Sequence, residues 1–171
     1  MVGRMARVSP ASFISPSPIQ PWTGRELAGL AVAAATDARR WRHLIEFDEN
    51  ERFALKIDET DEHDLWLLTW LPEQETGWHD HGGSIGAFAI ARGALCERRF
   101  VRGRGRQELR LGPGGSRIVP DPVLHNVANR DGARAISLHA YSPPLRTMTY
   151  FDEKQNVQQV ADVRVPGART C

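Results

Sequence analysis

Two histidines one residue apart, His79 and His81, stand in the run Gly77-Trp78-His79-Asp80-His81-Gly82-Gly83-Ser84-Ile85-Gly86. On a β-strand successive side chains alternate between faces, so this spacing sends both imidazoles to one side and Asp80 to the other. Neutral imidazole is the commonest side-chain ligand for first-row transition metals. A lone pair of this kind fits surface or core histidines equally well, so the reading turns on what else the chain supplies. Further on, Ser137, His139 and Tyr141 alternate along Ser137-Leu138-His139-Ala140-Tyr141. On one strand those three share a face as well. Taken singly, His139 is a core histidine and Tyr141 a core aromatic whose hydroxyl finds a partner.

The strands that must carry these side chains are legible as short apolar runs from about Arg52 onward. Phe53–Ile57, Leu65–Leu71, Gly86–Ile90, Ala94–Val101, Gln107–Leu111, Ser116–Val119, Ala133–Tyr141 and Thr147–Phe151 read as strands. Turn residues separate them at Asp58-Glu59-Thr60-Asp61, Gly103-Arg104-Gly105, Gly112-Pro113-Gly114-Gly115 and Arg130-Asp131-Gly132. That texture predicts an all-β-dominated sandwich or barrel, not a parallel α/β sheet. Ahead of it, Thr23 is placed to cap a helix with Glu26 in its first turn, and Leu27, Leu30, Ala31 and Ala34 form one helical face. A second short helix is expected over Arg39–Phe47, with Trp41, Leu44 and Ile45 inward. Residues 1–22, with Pro10, Pro16, Pro18 and Pro21 among serines and small residues, read as a flexible or extended arm, and 23–171 as a single domain.

Composition narrows the function classes. A chain of 171 residues buries about 68–70% of the surface its unfolded form exposes. Its 22 basic and 21 acidic side chains leave a net charge of +1, which gives no electrostatic case for nucleic acid or an anionic membrane. No run reaches the roughly 18 apolar residues of a membrane span. Leu27–Thr36 has the texture of a secretory core, but Glu26 abuts it and the proline-rich stretch precedes it, so no signal peptide is expected. Cys96 and Cys171 form no disulfide framework, and a cytoplasmic protein is expected. Arg98, Arg99, Arg102, Arg104, Arg106 and Arg110 crowd one predicted hairpin, read as a solvated surface.

A second segment, Pro120-Asp121-Pro122-Val123-Leu124-His125-Asn126-Val127-Ala128-Asn129, changes the weight of the first histidine pair. His79-x-His81 with Gly93, and Gly114, Pro120, His125 and Asn129, keep the spacing of the two cupin motifs, with Pro122 where glycine is usual. The chain therefore resembles the cupin superfamily. That resemblance implies a small double-sheet β-barrel or jelly roll with a metal inside, His125 joining His79 and His81. Cupins usually add a metal-binding glutamate shortly past the second histidine, where this chain has Ile85 and Gly86. Three neutral histidines leave a divalent metal its full charge and open positions. Such a site favours an anionic soft ligand such as a thiolate, alongside dioxygen on Fe(II).

The stretch Ser137-Leu138-His139-Ala140-Tyr141-Ser142-Pro143-Pro144 resembles the Ser-His-Tyr relay of the cysteine dioxygenase family, thiol dioxygenases with a three-histidine iron site. The resemblance covers roughly residues 50–151. It implies Fe(II) on His79, His81 and His125, with the Tyr141 hydroxyl turned toward substrate and O2 and held by His139 and Ser137. The reaction implied is oxidation of a small thiol, cysteine first, to its sulfinate. Two further readings stay open: a dioxygenase for another thiol such as 3-mercaptopropionate, and a cupin that binds a metal or small ligand without turnover.

Two departures from the family bear on chemistry. Mammalian members carry a cysteine cross-linked to the relay tyrosine where this chain has Gly86, as in bacterial relatives with glycine, and Cys96 reads as a buried strand residue. Cysteine-specific members clamp the substrate carboxylate with an arginine from the strand before the first motif, a job suited to the planar guanidinium. Here that strand offers Lys56 in one register and Arg52 in another. Trp78, Phe88 and Leu68 are candidates for a dry wall around the site.

Overall fold

The computed structural model describes residues 22–101 and 105–163. Of the expected N-terminal arm only Trp22 is among them; Arg102, Arg104 and Cys171 lie outside the described residues. Helix α1 spans Gly24–Thr36 and opens with a capping box. The Thr23 side chain accepts the Glu26 backbone N–H while the Glu26 carboxylate accepts the Thr23 N–H at 2.7 Å. The expected second helix is instead two three-residue 3₁₀ turns, Ala38–Arg40 and Arg42–Leu44. Trp41 is buried there and donates its indole N–H to the Ala34 carbonyl at 2.9 Å, but Ile45 is exposed. With four of its first five residues basic, Arg39–Phe47 has too little apolar surface to bury a helical face.

Eleven strands follow among the described residues: β1 Ala54–Glu59, β2 Asp64–Trp70, β3 Trp78–Asp80, β4 Ile85–Arg92, β5 Leu95–Val101, β6 Gly105–Leu111, β7 Ser116–Val119, β8 His125–Ala128, β9 Ala135–Ser142, β10 Thr147–Phe151 and β11 Val157–Asp162. They form two antiparallel sheets, β1-β2-β9-β4-β7 and β11-β10-β3-β8-β5-β6. The predicted all-β architecture with short helices at the N-terminal end is thus the one observed.

Strands β2 and β9 are buried on both faces, and their two alternating sets of residues go to two different cores. Leu65 and Leu67 of β2, Ala87 and Ala89 of β4, and Leu138 and Ala140 of β9 pack under Leu27, Ala31 and Ala34 of α1. The alternate residues Trp66, Leu68, Trp70, Phe88, Ile90 and Tyr141 pack between the sheets with Leu95 and Val127. Each fully buried Leu or Phe contributes about 1.5–3 kcal/mol, so this double burial locks the register. Ser137, His139 and Tyr141, set by that register, share the inward face with Trp66, Leu68 and Trp70.

Most arginines of the β5–β6 hairpin meet carboxylates at its surface: Arg98 with Glu75, Arg106 with Glu153, Arg110 with Asp131. Arg99 departs from the solvated reading, because its side chain is only 12% exposed and reaches back to Glu97. Cys96 is on β5 as expected but half-buried.

Candidate metal centre

Strand pairing brings the three histidines together. His79 of β3 is the direct cross-strand partner of His125 of β8, so their side chains rise from the same face. His81 follows β3 and completes the cluster, with all three candidate ligand nitrogens within 4.8 Å of one another. The Nε2 atoms of His81 and His125 are 3.2 Å apart, close to the separation of about 3 Å that adjacent ligands take at metal–nitrogen distances of about 2.1 Å. All three rings are buried.

Two of the opposite ring nitrogens are already engaged. His79 Nδ1 lies 3.0 Å from the Gly77 carbonyl and His125 Nδ1 lies 3.0 Å from Glu97 Oε1. Both acceptors require the proton on Nδ1, which leaves the Nε2 lone pairs free to bind a metal. Burial, and then the neighbouring His125, hold His79 and His81 well below the usual imidazole range, so they present lone pairs and not protons. The donor set fits a divalent transition metal.

Glu97 is the residue that the sequence reading missed. Its side chain is fully buried, with Arg99 Nη2 2.6 Å and Arg117 Nε 2.9 Å from the carboxylate. Burial opposes its charge, but hydrogen bonds from His125, Arg99 and Arg117 outweigh that and bring its pKa to about 2. The signal was available in part: Glu97 alternates with Arg99 on β5, and a strand carboxylate with an arginine two residues on, on the same face, has a charge partner ready. Nothing in the linear order shows that His125 faces it.

The second cluster lies across the barrel. Ser137 Oγ is 2.8 Å from His139 Nε2, and Tyr141 Oη is 3.4 Å from His139 Nδ1. Trp70 donates its indole N–H to Ser137 Oγ at 2.9 Å. His139 stacks on Phe88 with ring centroids 5.1 Å apart. Burial and then Arg52 hold His139 well below the usual imidazole range, and burial raises the Tyr141 phenol above its ordinary value.

Gly86 sits between the two clusters. It pairs with Tyr141 across β4–β9, and a Cβ there would stand 2.8 Å from His81 Cε1 and 3.1 Å from Tyr141 Cε1. The edge-on packing of His81 against Tyr141, centroids 4.8 Å apart, occupies the space a side chain would need.

A cavity of about 190 Å³ joins the clusters, with Arg52, His79, His125, His139, Tyr141 and Tyr150 among its lining residues. Arg52 stands over the Trp70 ring, 5.1 Å from its centroid, with Nε buried and without a partner among the described residues. Lys56, the other sequence candidate, does not line this cavity. Its amine meets Glu59 at 2.9 Å and Asp64 at 3.7 Å. The four-residue offset leaves both on one face of the chain, but Lys56 stands close to the β1–β2 turn, where Glu59 and Asp64 hold its amine. Of the proposed wall, Leu68 lines the cavity and Phe88 backs His139, whereas Trp78 alternates with His79 onto the far face, against Phe100 and Arg98. Tyr150 was also missed; it is the cross-strand partner of His79 on β10, and among the described residues only Met148 Sδ, at 3.7 Å, accepts its hydroxyl.

Comparison with known proteins agrees with this geometry. A profile of the cysteine dioxygenase type I family matches residues 23–154, from the cap of α1 past the end of β10. A cysteine dioxygenase type 1 of Danio rerio is 24% identical over 140 residues, covering 75% of this chain and 70% of that protein. Among solved structures, a protein of Thermus thermophilus superposes with a TM-score of 0.54 at 22% identity, over 60% of this chain and 93% of the other. A cupin superfamily protein of Desulfitobacterium hafniense gives 0.51 at 18% identity, over 60% and 87%. These structural likenesses show the fold, a cupin, and the profile shows the family. The chain belongs to the cysteine dioxygenase type I family.

Proposed function

We propose that this protein is an Fe(II)- and O2-dependent thiol dioxygenase that oxidises a small carboxylate-bearing thiol, cysteine first, to its sulfinate. The observation that carries the reading is the composition of one cavity. Two of the three clustered histidines, a relay tyrosine and a buried arginine whose Nε has no partner among the described residues all line it. Fe(II) held by His79, His81 and His125 supplies the point where thiolate and dioxygen meet and favours the deprotonated thiol. Both atoms of dioxygen pass to sulfur, so the thiol and one O2 yield one sulfinic acid with no further reductant.

The side chains do the rest. Arg52 binds the substrate carboxylate, whose negative charge offsets the burial that lowers the guanidinium's own pKa. Tyr141 remains protonated and donates its O–H into the cavity, oriented by His139 and Ser137. Leu68, Leu145 and Val127 keep that space dry, which strengthens each polar contact inside it.

One observation favours 3-mercaptopropionate as a second substrate. Among the described lining residues Asp162 is the only carboxylate, and it is exposed, so an α-ammonium group finds little to receive it. Oxygen uptake by the iron-loaded protein with cysteine, 3-mercaptopropionate and cysteamine tests the proposal. The two carboxylate-bearing thiols are expected to lead. A preference for cysteamine would contradict the role of Arg52.

A further inference from the structure

We infer that Trp70 is a positioning residue for both halves of the site: its indole N–H sets the direction of the Ser137–His139–Tyr141 hydrogen bonds, and its ring carries Arg52. An indole N–H donates and never accepts. It lies 2.9 Å from Ser137 Oγ, and among the described residues the one other polar partner of that hydroxyl is His139 Nε2, at 2.8 Å. Ser137 is fully buried. Its hydrogen therefore cannot turn toward Trp70 and has one acceptor, His139 Nε2. Were His139 to donate from Nε2 instead, the serine hydrogen would be enclosed without a partner.

The direction then propagates. Among the described residues no carboxylate touches His139, which is stacked on Phe88 and buried, so the ring is neutral and carries one proton. With Nε2 accepting, that proton is on Nδ1 and points at Tyr141 Oη, 3.4 Å away. Tyr141 accepts it, and its own O–H is left to donate into the cavity. Donation from Trp70 to Ser137 also strengthens the next bond in the chain. Removing the indole N–H leaves room for a water that can accept from Ser137. The network can then reverse, drawing the Tyr141 hydrogen back to His139.

The ring of the same residue lies under Arg52, 5.1 Å from the centroid to Cζ, and so holds the guanidinium that faces the cavity. One side chain thus fixes a donor aimed at the reacting atoms and a cation aimed at the substrate's other end. The sequence offered no sign of this beyond a tryptophan at the inward-facing end of β2.

The tautomer of His139 is the direct readout. Histidine nitrogen NMR on the full-length protein, with zinc in place of a paramagnetic metal and the His139 signal assigned by its loss in His139→Asn, is expected to show Nδ1–H. Trp70→Phe is expected to show a mixture with Nε2–H. An Nε2–H wild type overturns the inference without any variant, so a failure of Trp70→Phe to fold does not protect it. An unchanged tautomer in folded Trp70→Phe overturns it too.

The kinetic arm rests on the thiol dioxygenase reading. Trp70→Phe keeps an aromatic face under Arg52, so kcat for cysteine should fall by about tenfold or more with KM little changed. Trp70→Leu should add a rise in KM of about threefold or more, absent for cysteamine, which has no carboxylate. Equal kinetics for the two variants overturn the claim about Arg52. Absence of turnover with every thiol in the wild type would defeat the functional reading, while the NMR result would still decide the direction set by Trp70.

Discussion

Glu97 Oε1 stands 3.0 Å from His125 Nδ1, and the same buried carboxylate receives Arg99 and Arg117. The two arginines hold Glu97 ionised, and Glu97 holds the His125 proton on the nitrogen that faces away from the metal. Glu97→Gln keeps the shape and loses the charge. Metal affinity is expected to fall about 10–100-fold, measured by competition with a chromogenic chelator. Wild-type affinity in the variant would remove Glu97 from the metal centre.

Gly86 is expected to tolerate no side chain. Its Cβ would meet the His81 ring at 2.8–2.9 Å, and that ring is wedged against Tyr141. Gly86→Ala should destabilise the fold by about 1–3 kcal/mol and lower metal content. Thermal denaturation and metal analysis on the same preparation check both effects. A variant with unchanged stability and metal content would mean that the site is looser than the packing indicates.

Arg52 and Lys56 are separated by their surroundings and can be separated by kinetics. Arg52→Met should raise KM for cysteine by about tenfold or more, as loss of a charge-assisted hydrogen bond does, and leave cysteamine unaffected. Lys56→Met should leave both KM values alone, because its amine is bound to Glu59 and Asp64 outside the cavity. The reverse pattern would restore Lys56 as the carboxylate ligand.

The Tyr141 phenol should stay protonated where an ordinary tyrosine ionises. Burial disfavours the phenolate, so the shift is upward and the O–H survives through the working range. The chain has two tyrosines, and Tyr150→Phe leaves Tyr141 as the only phenol to follow. Its ultraviolet absorbance is expected to show no tyrosinate at about pH 10, the ordinary midpoint. Half-ionisation there would contradict the burial account. Tyr141→Phe should keep its metal and lose rate.

Much of this was legible in the chain itself, for identifiable reasons. The alternation Ser137-Leu138-His139-Ala140-Tyr141 placed three side chains on one face because strand geometry permits nothing else. The apolar runs found most strands. The run at β8 was hidden by Pro120 and Pro122 ahead of it, and β11 by the polar residues of an edge strand, Val157-Gln158-Gln159-Val160. Trp78 was misassigned to the cavity although the same alternation that aligns His79 with His81 sends it outward. Glu97, Trp70 and Tyr150 could not be found from spacing alone. Each acts through a cross-sheet or cross-strand neighbour distant in sequence, and only the folded register supplies that neighbour.

The central claim is that both atoms of dioxygen are transferred to the sulfur of a small thiol at the His79, His81 and His125 centre. Turnover of cysteine by the iron-loaded protein under isotopically heavy dioxygen, with the product read by mass spectrometry, tests it most directly. The account predicts cysteine sulfinate carrying the label on both oxygen atoms, and no product from the iron-loaded His125→Ala preparation. Iron-replete protein that forms no sulfinate, or sulfinate that takes an oxygen atom from water, would contradict it.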